Sequence, residues 1–143
     1  PMVNIDGKPM MDGGLSDSIP VQKAMKDGYK HDIVICTRPK GYRKKEGRPG
    51  KTVKLAQKVY KKYPMLVKAL AQRNRRYNRE MAWIEKMEEK GRVFVIRPSL
   101  PTVKRTEKNI VRLEHFYEHG YETMRDLWPA LSKWLEKAEN VKS

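Results

Sequence analysis

His31-Asp32-Ile33-Val34-Ile35-Cys36-Thr37 is the stretch on which the fold turns. Its unbroken apolar run, Ile33 to Cys36, reads as a short strand covered on both faces, as in a parallel sheet. A second run of the same kind, Arg92-Val93-Phe94-Val95-Ile96, follows after a long helical interval. Strand, helix, strand is the rhythm of a βαβ unit, so the chain is expected to be α/β with mainly parallel strands. Both runs end in Arg-Pro, at Arg38-Pro39 and Arg97-Pro98, an echo read as coincidence.

Between the two runs, Arg38 to Lys51 holds seven basic residues, one acid, three Gly and two Pro. Residues 39–51 are therefore expected to form an extended, flexible basic loop. A helix is expected from Thr52 to Lys62 with Val53, Leu55, Ala56 and Val59 on one side. Pro64 starts a longer one to Lys90, where Leu66, Leu70, Tyr77, Met81 and Ile84 make one apolar stripe and Gly91 ends it. Upstream, Val3-Asn4-Ile5, Asp6-Gly7 and Lys8 to Met11 read as a β-hairpin, because Asp-Gly suits a type I′ turn. Ser18 is expected to cap a short helix with Pro20 in its first turn and Gly28 at its end. Downstream, residues 106–139 are expected to form a helical pair, Glu107 to His119 and Tyr121 to Glu139. Gly120 divides the pair and Pro129 bends its second member.

The chain has 143 residues, enough for one domain with a modest core. Lys and Arg number 32 against 17 Asp and Glu, a net charge of +15, and mean hydropathy is −0.83. This charge favours anionic partners without choosing among nucleic acid, anionic lipid and acidic protein. No apolar run reaches the roughly 18 residues that span a bilayer. Cys36 is the only cysteine, so an internal disulfide is excluded and a reducing, cytoplasmic compartment is expected. Its place in the apolar run makes it a small buried hydrophobe rather than a reactive thiol.

The chemistry-bearing segment is Met10-Met11-Asp12-Gly13-Gly14-Leu15. It sets a carboxylate and two glycines at the end of a short apolar strand, where α/β enzymes hold reactive groups. A carboxylate that deprotonates a serine without an intervening histidine must itself reach the hydroxyl. A short acid on a rigid strand end, followed by two glycines, meets that requirement. Ser16 is not read as the nucleophile, since Gly14-Leu15-Ser16-Asp17-Ser18 lacks the final Gly of Gly-x-Ser-x-Gly.

Other constellations have plainer readings. His115 and His119 stand one helical turn apart, but Phe116 occupies the place of a metalloprotease Glu, so both are read as ordinary, partly exposed histidines. Arg73-Asn74-Arg75-Arg76 with Arg79 has the donors to grip a phosphate, yet reads first as a solvated helix face. Trp128 and Trp134 read as packing residues before membrane anchors. Tyr42 is the one aromatic of the basic loop, and no nucleic-acid-binding signature occurs, so no specific nucleic acid is expected.

Several of these segments, in this order, resemble the patatin-like phospholipases, in particular a bacterial branch of patatin-like esterases. They are Asp6-Gly7-Lys8, Asp12-Gly13-Gly14, Ile19-Pro20-Val21, the strand ending at Arg38-Pro39, the long helices about Tyr63-Pro64, and Val93-Phe94-Val95-Ile96-Arg97-Pro98. The resemblance implies a partial patatin-like fold and a Ser–Asp dyad whose catalytic aspartate is Asp12, with Gly13 and Gly14 as its backbone setting. It implies a carboxylic-ester hydrolase acting on a lipid or acyl-ester substrate, with no metal or cofactor. The family's Gly-x-Ser-x-Gly and glycine-rich oxyanion loop are absent from this sequence. Residues 1–143 are thus expected to be a single C-terminal piece of a longer hydrolase domain, inactive alone and prone to form a homo-oligomer or swapped dimer. The alternative reading is a basic, non-enzymatic binding module for nucleic acid or an anionic membrane surface, with membrane-peripheral attachment.

Overall fold

The computed structural model describes residues 2–47 and 50–140. Its elements are β1 (Val3–Ile5), β2 (Lys8–Met10), a 3-10 turn (Gly13–Leu15), α1 (Val21–Lys26), β3 (Asp32–Ile35), α2 (Lys51–Val59), α3 (Pro64–Glu89), β4 (Val93–Ile96) and α4 (Ile110–Asn140). The architecture is mixed α/β, rich in helix, with a parallel strand pair and a separate hairpin. No described helix is long and apolar enough to cross a membrane.

The chain divides into two compact units. One takes Pro1–Pro20 and Arg43–Trp83, the other Val21–Tyr42 and Ile84–Ser143.

In the first unit, β1 and β2 pair antiparallel with Val3 opposite Met10 and Ile5 opposite Lys8. Asp6 and Gly7 both take positive φ, 50° and 75°, as a type I′ turn demands. All six strand residues are exposed. Val3, Ile5 and Met10 therefore share an uncovered apolar face. Pro64 opens α3 as expected, and Tyr77 and Met81 of its stripe are buried, as is Ala56 of α2. Leu55 and Val59 stay exposed, so the apolar side of α2 is largely open. That helix also stops at Val59, short of the expected Lys62.

The basic loop departs from expectation in one respect. Residues 39–47 and Gly50 form no helix or strand, but residues 44–46 are fastened to α3. Asn78 mimics a peptide group: Lys44 N donates to its Oδ1 and its Nδ2 donates to Lys44 O, both at 2.8 Å. Asn78 Nδ2 also reaches Glu46 Oε1, and Asn74 Nδ2 donates to Lys45 O, each at 2.8 Å. The Lys44 ammonium lies 3.9 Å from the centre of the Tyr77 ring, a cation–π contact. Two helix amides one turn apart thus hold a stretch whose composition alone reads as mobile. Arg48 and Pro49 lie outside the described residues.

In the second unit, β3 and β4 pair in parallel, Asp32 with Val93 through Ile35 with Ile96, and Cys36 N extends the ladder to Ile96 O at 2.8 Å. Each strand is launched by the same device, a glycine in left-handed conformation closing a helix by a Schellman motif. Gly28 (φ 104°) does so for α1, with Tyr29 N donating to Ala24 O. Gly91 (φ 70°) does so for α3, with Arg92 N donating to Met87 O. The unit's core is Val21, Val34, Cys36, Ile84, Val93, Val95, Ile96 and Leu131. Burial pushes the Cys36 thiol up, as suits an inert core residue.

Three expectations are corrected here. β3 is buried on one face only: Val34 is covered while Ile35 is 75 % exposed. An apolar run implies two covering layers, and the described residues supply one. Ser18 does not cap α1; its hydroxyl donates to Gly14 O at 3.0 Å, and the helix begins at Val21. The helical pair is one continuous helix, α4, running through Gly120 and Pro129. Gly120 keeps a negative φ, so it forms no left-handed stop. A glycine in a long amphipathic helix costs only about 1 kcal/mol relative to alanine, too little to end it.

Two polar features fix this unit. Arg97, at the end of β4, makes a bidentate pair with Glu88 of the last turn of α3, at 2.8 and 2.7 Å. The Glu88 hydrogen bonds hold the Arg97 guanidinium above its ordinary pKa. Trp134 Nε1 donates to Gly91 O at 2.9 Å, and its ring meets His31 edge-on and Phe94 at a tilt, seating the end of α4. Asp32 is a weak point, because its Oδ2 is buried without a hydrogen-bond partner. Burial raises its pKa, opposed by the nearby Arg92. A carboxyl raised in the fold contributes fully below its unfolded value and loses that contribution as pH rises. Asp32→Asn is therefore expected to raise the urea midpoint at pH 7, and the gain should shrink as pH falls toward 4. An equal gain at both pH values would assign the effect to something other than ionisation.

Candidate functional site

Asp12 follows β2 and caps the 3-10 turn of residues 13–15. Its Oδ1 accepts from Gly14 N at 2.8 Å, while Leu15 N donates to Asp12 O at 3.1 Å. The residue is exposed, and Oδ2 accepts no hydrogen bond among the described residues. One oxygen is thus used to aim the carboxylate and the other is left open. No serine or threonine hydroxyl among the described residues hydrogen-bonds to it; Ser18 is engaged with Gly14 O.

The two glycines differ. A Cβ on Gly14 would stand 3.1 Å from Asp12 Oδ1 and 3.9 Å from Arg73 Nη2. A side chain there would press on the carboxylate, which would have to give by a few tenths of an ångström. A Cβ on Gly13 would meet nothing within 4 Å, and Gly13 carries no such constraint.

Behind the turn stand two arginines that the sequence reading put on a solvated helix face. Both are half-buried. Arg73 Nε donates to Gly14 O at 3.2 Å, and Arg76 Nη1 donates to Leu15 O at 3.2 Å and to Ser16 O at 2.6 Å. One turn of α3 spaces them so that three successive carbonyls are held by two guanidinium groups. The local sequence gives no sign of this pairing, since the partners lie some 60 positions apart. Arg75 and Arg79 remain exposed, as expected for them. Arg76→Ala is expected to cost about 1 kcal/mol, the worth of a charged hydrogen bond to partly wet carbonyls. It should also speed hydrogen exchange at the Ser16 and Asp17 amides, which bond to Gly13 O. Unchanged exchange there would mean that Arg76 does not seat the turn.

His119 Nε2 accepts from Ser99 N at 3.0 Å, which ties α4 to the segment after β4. His115 lines a separate groove of about 310 Å³ with Leu100, Glu107, Arg112 and Phe116. Among the described residues no three His, Cys, Asp or Glu side chains gather as a metal site.

Residues 63–136 match the family described as Domain of unknown function (DUF6363). The match takes in α3 with Arg73 and Arg76, β4 and most of α4, and it leaves Asp12 outside. No curated protein and no solved structure matches the chain.

Proposed function

From the premise that the chain belongs to the DUF6363 family, we propose that it carries the catalytic aspartate of a patatin-like lipid acyl hydrolase. The nucleophilic serine would come from a segment not included in this sequence. The observation that carries the reading is the posture of Asp12. Its carboxylate is aimed by Gly14 N–H, left open at one oxygen, and set on a turn clamped from behind by Arg73 and Arg76.

In this reading the serine Oγ attacks the acyl carbon while Asp12 takes its proton. Asp12 then protonates the departing alkoxide, and in the second half-reaction it deprotonates water that releases the acid. The oxyanion hole belongs to the missing segment. The uncovered hairpin face of Val3, Ile5 and Met10 leads straight into Asp12 and suits the docking of such a segment. The substrate is an acyl ester at an anionic lipid surface, toward which the +15 charge draws the protein, and the setting is cytoplasmic. A basic module for nucleic acid rests on charge alone, and two of its best cations, Arg73 and Arg76, are already spent on carbonyls.

The test is an esterase assay with short-chain p-nitrophenyl esters on this chain and on a longer parent containing Gly-x-Ser-x-Gly. Hydrolysis by the parent and none by the 143-residue chain is expected. Activity in the isolated chain, or a parent inert toward every ester, would overturn the reading.

A further inference from the structure

Over residues 110–128, α4 carries an apolar stripe that the other described residues leave open. Ile110, Leu113, Tyr117, Met124 and Trp128, with Tyr121, recur at steps of three and four, and Tyr117 is 76 % exposed. All but Met124, which is half-buried, are exposed. Further along, the same stripe sinks into the core at Leu131. We propose that this stripe is a self-association surface, on which two copies of the chain pair their α4 helices antiparallel about a two-fold axis at Gly120–Tyr121.

The stripe is complementary to itself. About a centre between residues 120 and 121, Leu113 falls opposite Trp128 of a second copy and Tyr117 opposite its Met124. A Cβ on Gly120 would meet nothing within 4 Å, so the helix is bare beside the crossing point. Charge follows the same symmetry. At 100° per residue, Glu114, Glu118 and Arg125 all fall on one flank of the stripe. A two-fold axis perpendicular to the paired helices brings like flank against like flank. At about 1.5 Å per residue, the Arg125 of one copy then lands between Glu114 and Glu118 of the other, about 3 Å along the axis from each.

The same residues argue against an anionic lipid or nucleic acid as occupant. Residues 110–128 hold Glu114, Glu118, Glu122 and Asp126 against Arg112 and Arg125, an acidic stretch in a strongly basic chain. An interfacial helix needs the opposite balance on its polar face. The inference is independent of the esterase reading, which concerns the Asp12 turn.

Sedimentation velocity of the 143-residue chain over a concentration series should show a monomer–dimer equilibrium. Arg125→Glu should weaken association by about tenfold or more. Adding Glu114→Arg and Glu118→Arg to that variant should restore it. Cysteine pairs read the direction on a Cys36→Ala background. Tyr121→Cys should oxidise to a covalent dimer, and Leu113→Cys should link to Trp128→Cys but not to itself. Because these side chains are exposed, the variants should keep the parent's circular dichroism. The proposal is overturned by a monomer at all concentrations, by a dimer indifferent to Arg125→Glu, or by Leu113→Cys linking to itself. Flotation with phosphatidylserine vesicles that is lost on Tyr117→Ser would overturn it in favour of a lipid surface.

Discussion

Asp12→Asn in a longer hydrolase of the proposed kind is expected to lower kcat/KM on a short acyl ester by about a thousandfold or more, with the fold intact. A positioned general base contributes roughly 10²–10⁴ to rate, and a dyad has no histidine to share the load. Asparagine is the informative replacement because the amide oxygen can still accept from Gly14 N and cap the turn of residues 13–15. The geometry survives while the basicity goes. Asp12→Ala removes both and should cost about 1 kcal/mol of stability besides, the usual worth of an N-cap.

Gly14→Ala supplies the positional control. Its methyl group would press on Asp12 Oδ1 from 3.1 Å, so the carboxylate must shift by a few tenths of an ångström. Displacements of that order matter to near-attack geometry, and activity should fall without any change in the ionisable groups. Gly13→Ala, with nothing within 4 Å of the added carbon, should be nearly silent. Wild-type turnover in Asp12→Asn would remove the catalytic assignment. Equal losses in the Gly13 and Gly14 variants would show that the turn is set by something other than this approach.

What the sequence discloses here is mostly what local chemistry dictates. Asp6-Gly7, Gly28 and Gly91 each need left-handed backbone, and each sits at the turn or helix end that its neighbours announce. The α3 stripe is legible because a helix repeats its own period, and the parallel pairing of β3 and β4 follows from their long helical crossover. Partners separated by dozens of residues are not legible. Arg73 and Arg76 look like surface charge until the Gly14–Ser16 carbonyls are seen beneath them, and Asn78 gives no sign of gripping Lys44. Burial is likewise non-local: Ile33 and Ile35 belong to an apolar run, but whether a second layer covers them is decided by other parts of the chain. Gly120 misleads for a different reason. Its intrinsic cost is smaller than the cooperative gain of extending a long helix, so propensity loses to length. At the candidate site, the residue type and its strand-end position are readable, while the arginine clamp that holds it is not.

Ile84→Ala should be the most damaging single truncation of the core. Ile84 is fully buried, at 0 % exposure, and belongs to the unit whose core is otherwise built on Val21, β3 with Cys36, β4 and Leu131. Removing three carbons from such a site forfeits transfer energy and leaves a cavity, at about 2–5 kcal/mol together. Domains of this kind have about 5–15 kcal/mol in all, so a third or more of the margin can vanish with one side chain. Ile84→Val, which removes one carbon, should cost about 0.5–1.5 kcal/mol, and the ratio of the two reports how far the site collapses. Leu55→Ala on α2 is the contrast: that side chain is exposed, so its loss should stay within about 0.5 kcal/mol. Urea unfolding followed by circular dichroism, and by Trp134 fluorescence in a Trp83→Phe, Trp128→Phe background, checks the series, since Trp134 packs on Phe94 in the same unit. Should Ile84→Ala and Leu55→Ala shift the midpoint equally, burial at Ile84 would not be what holds this unit together.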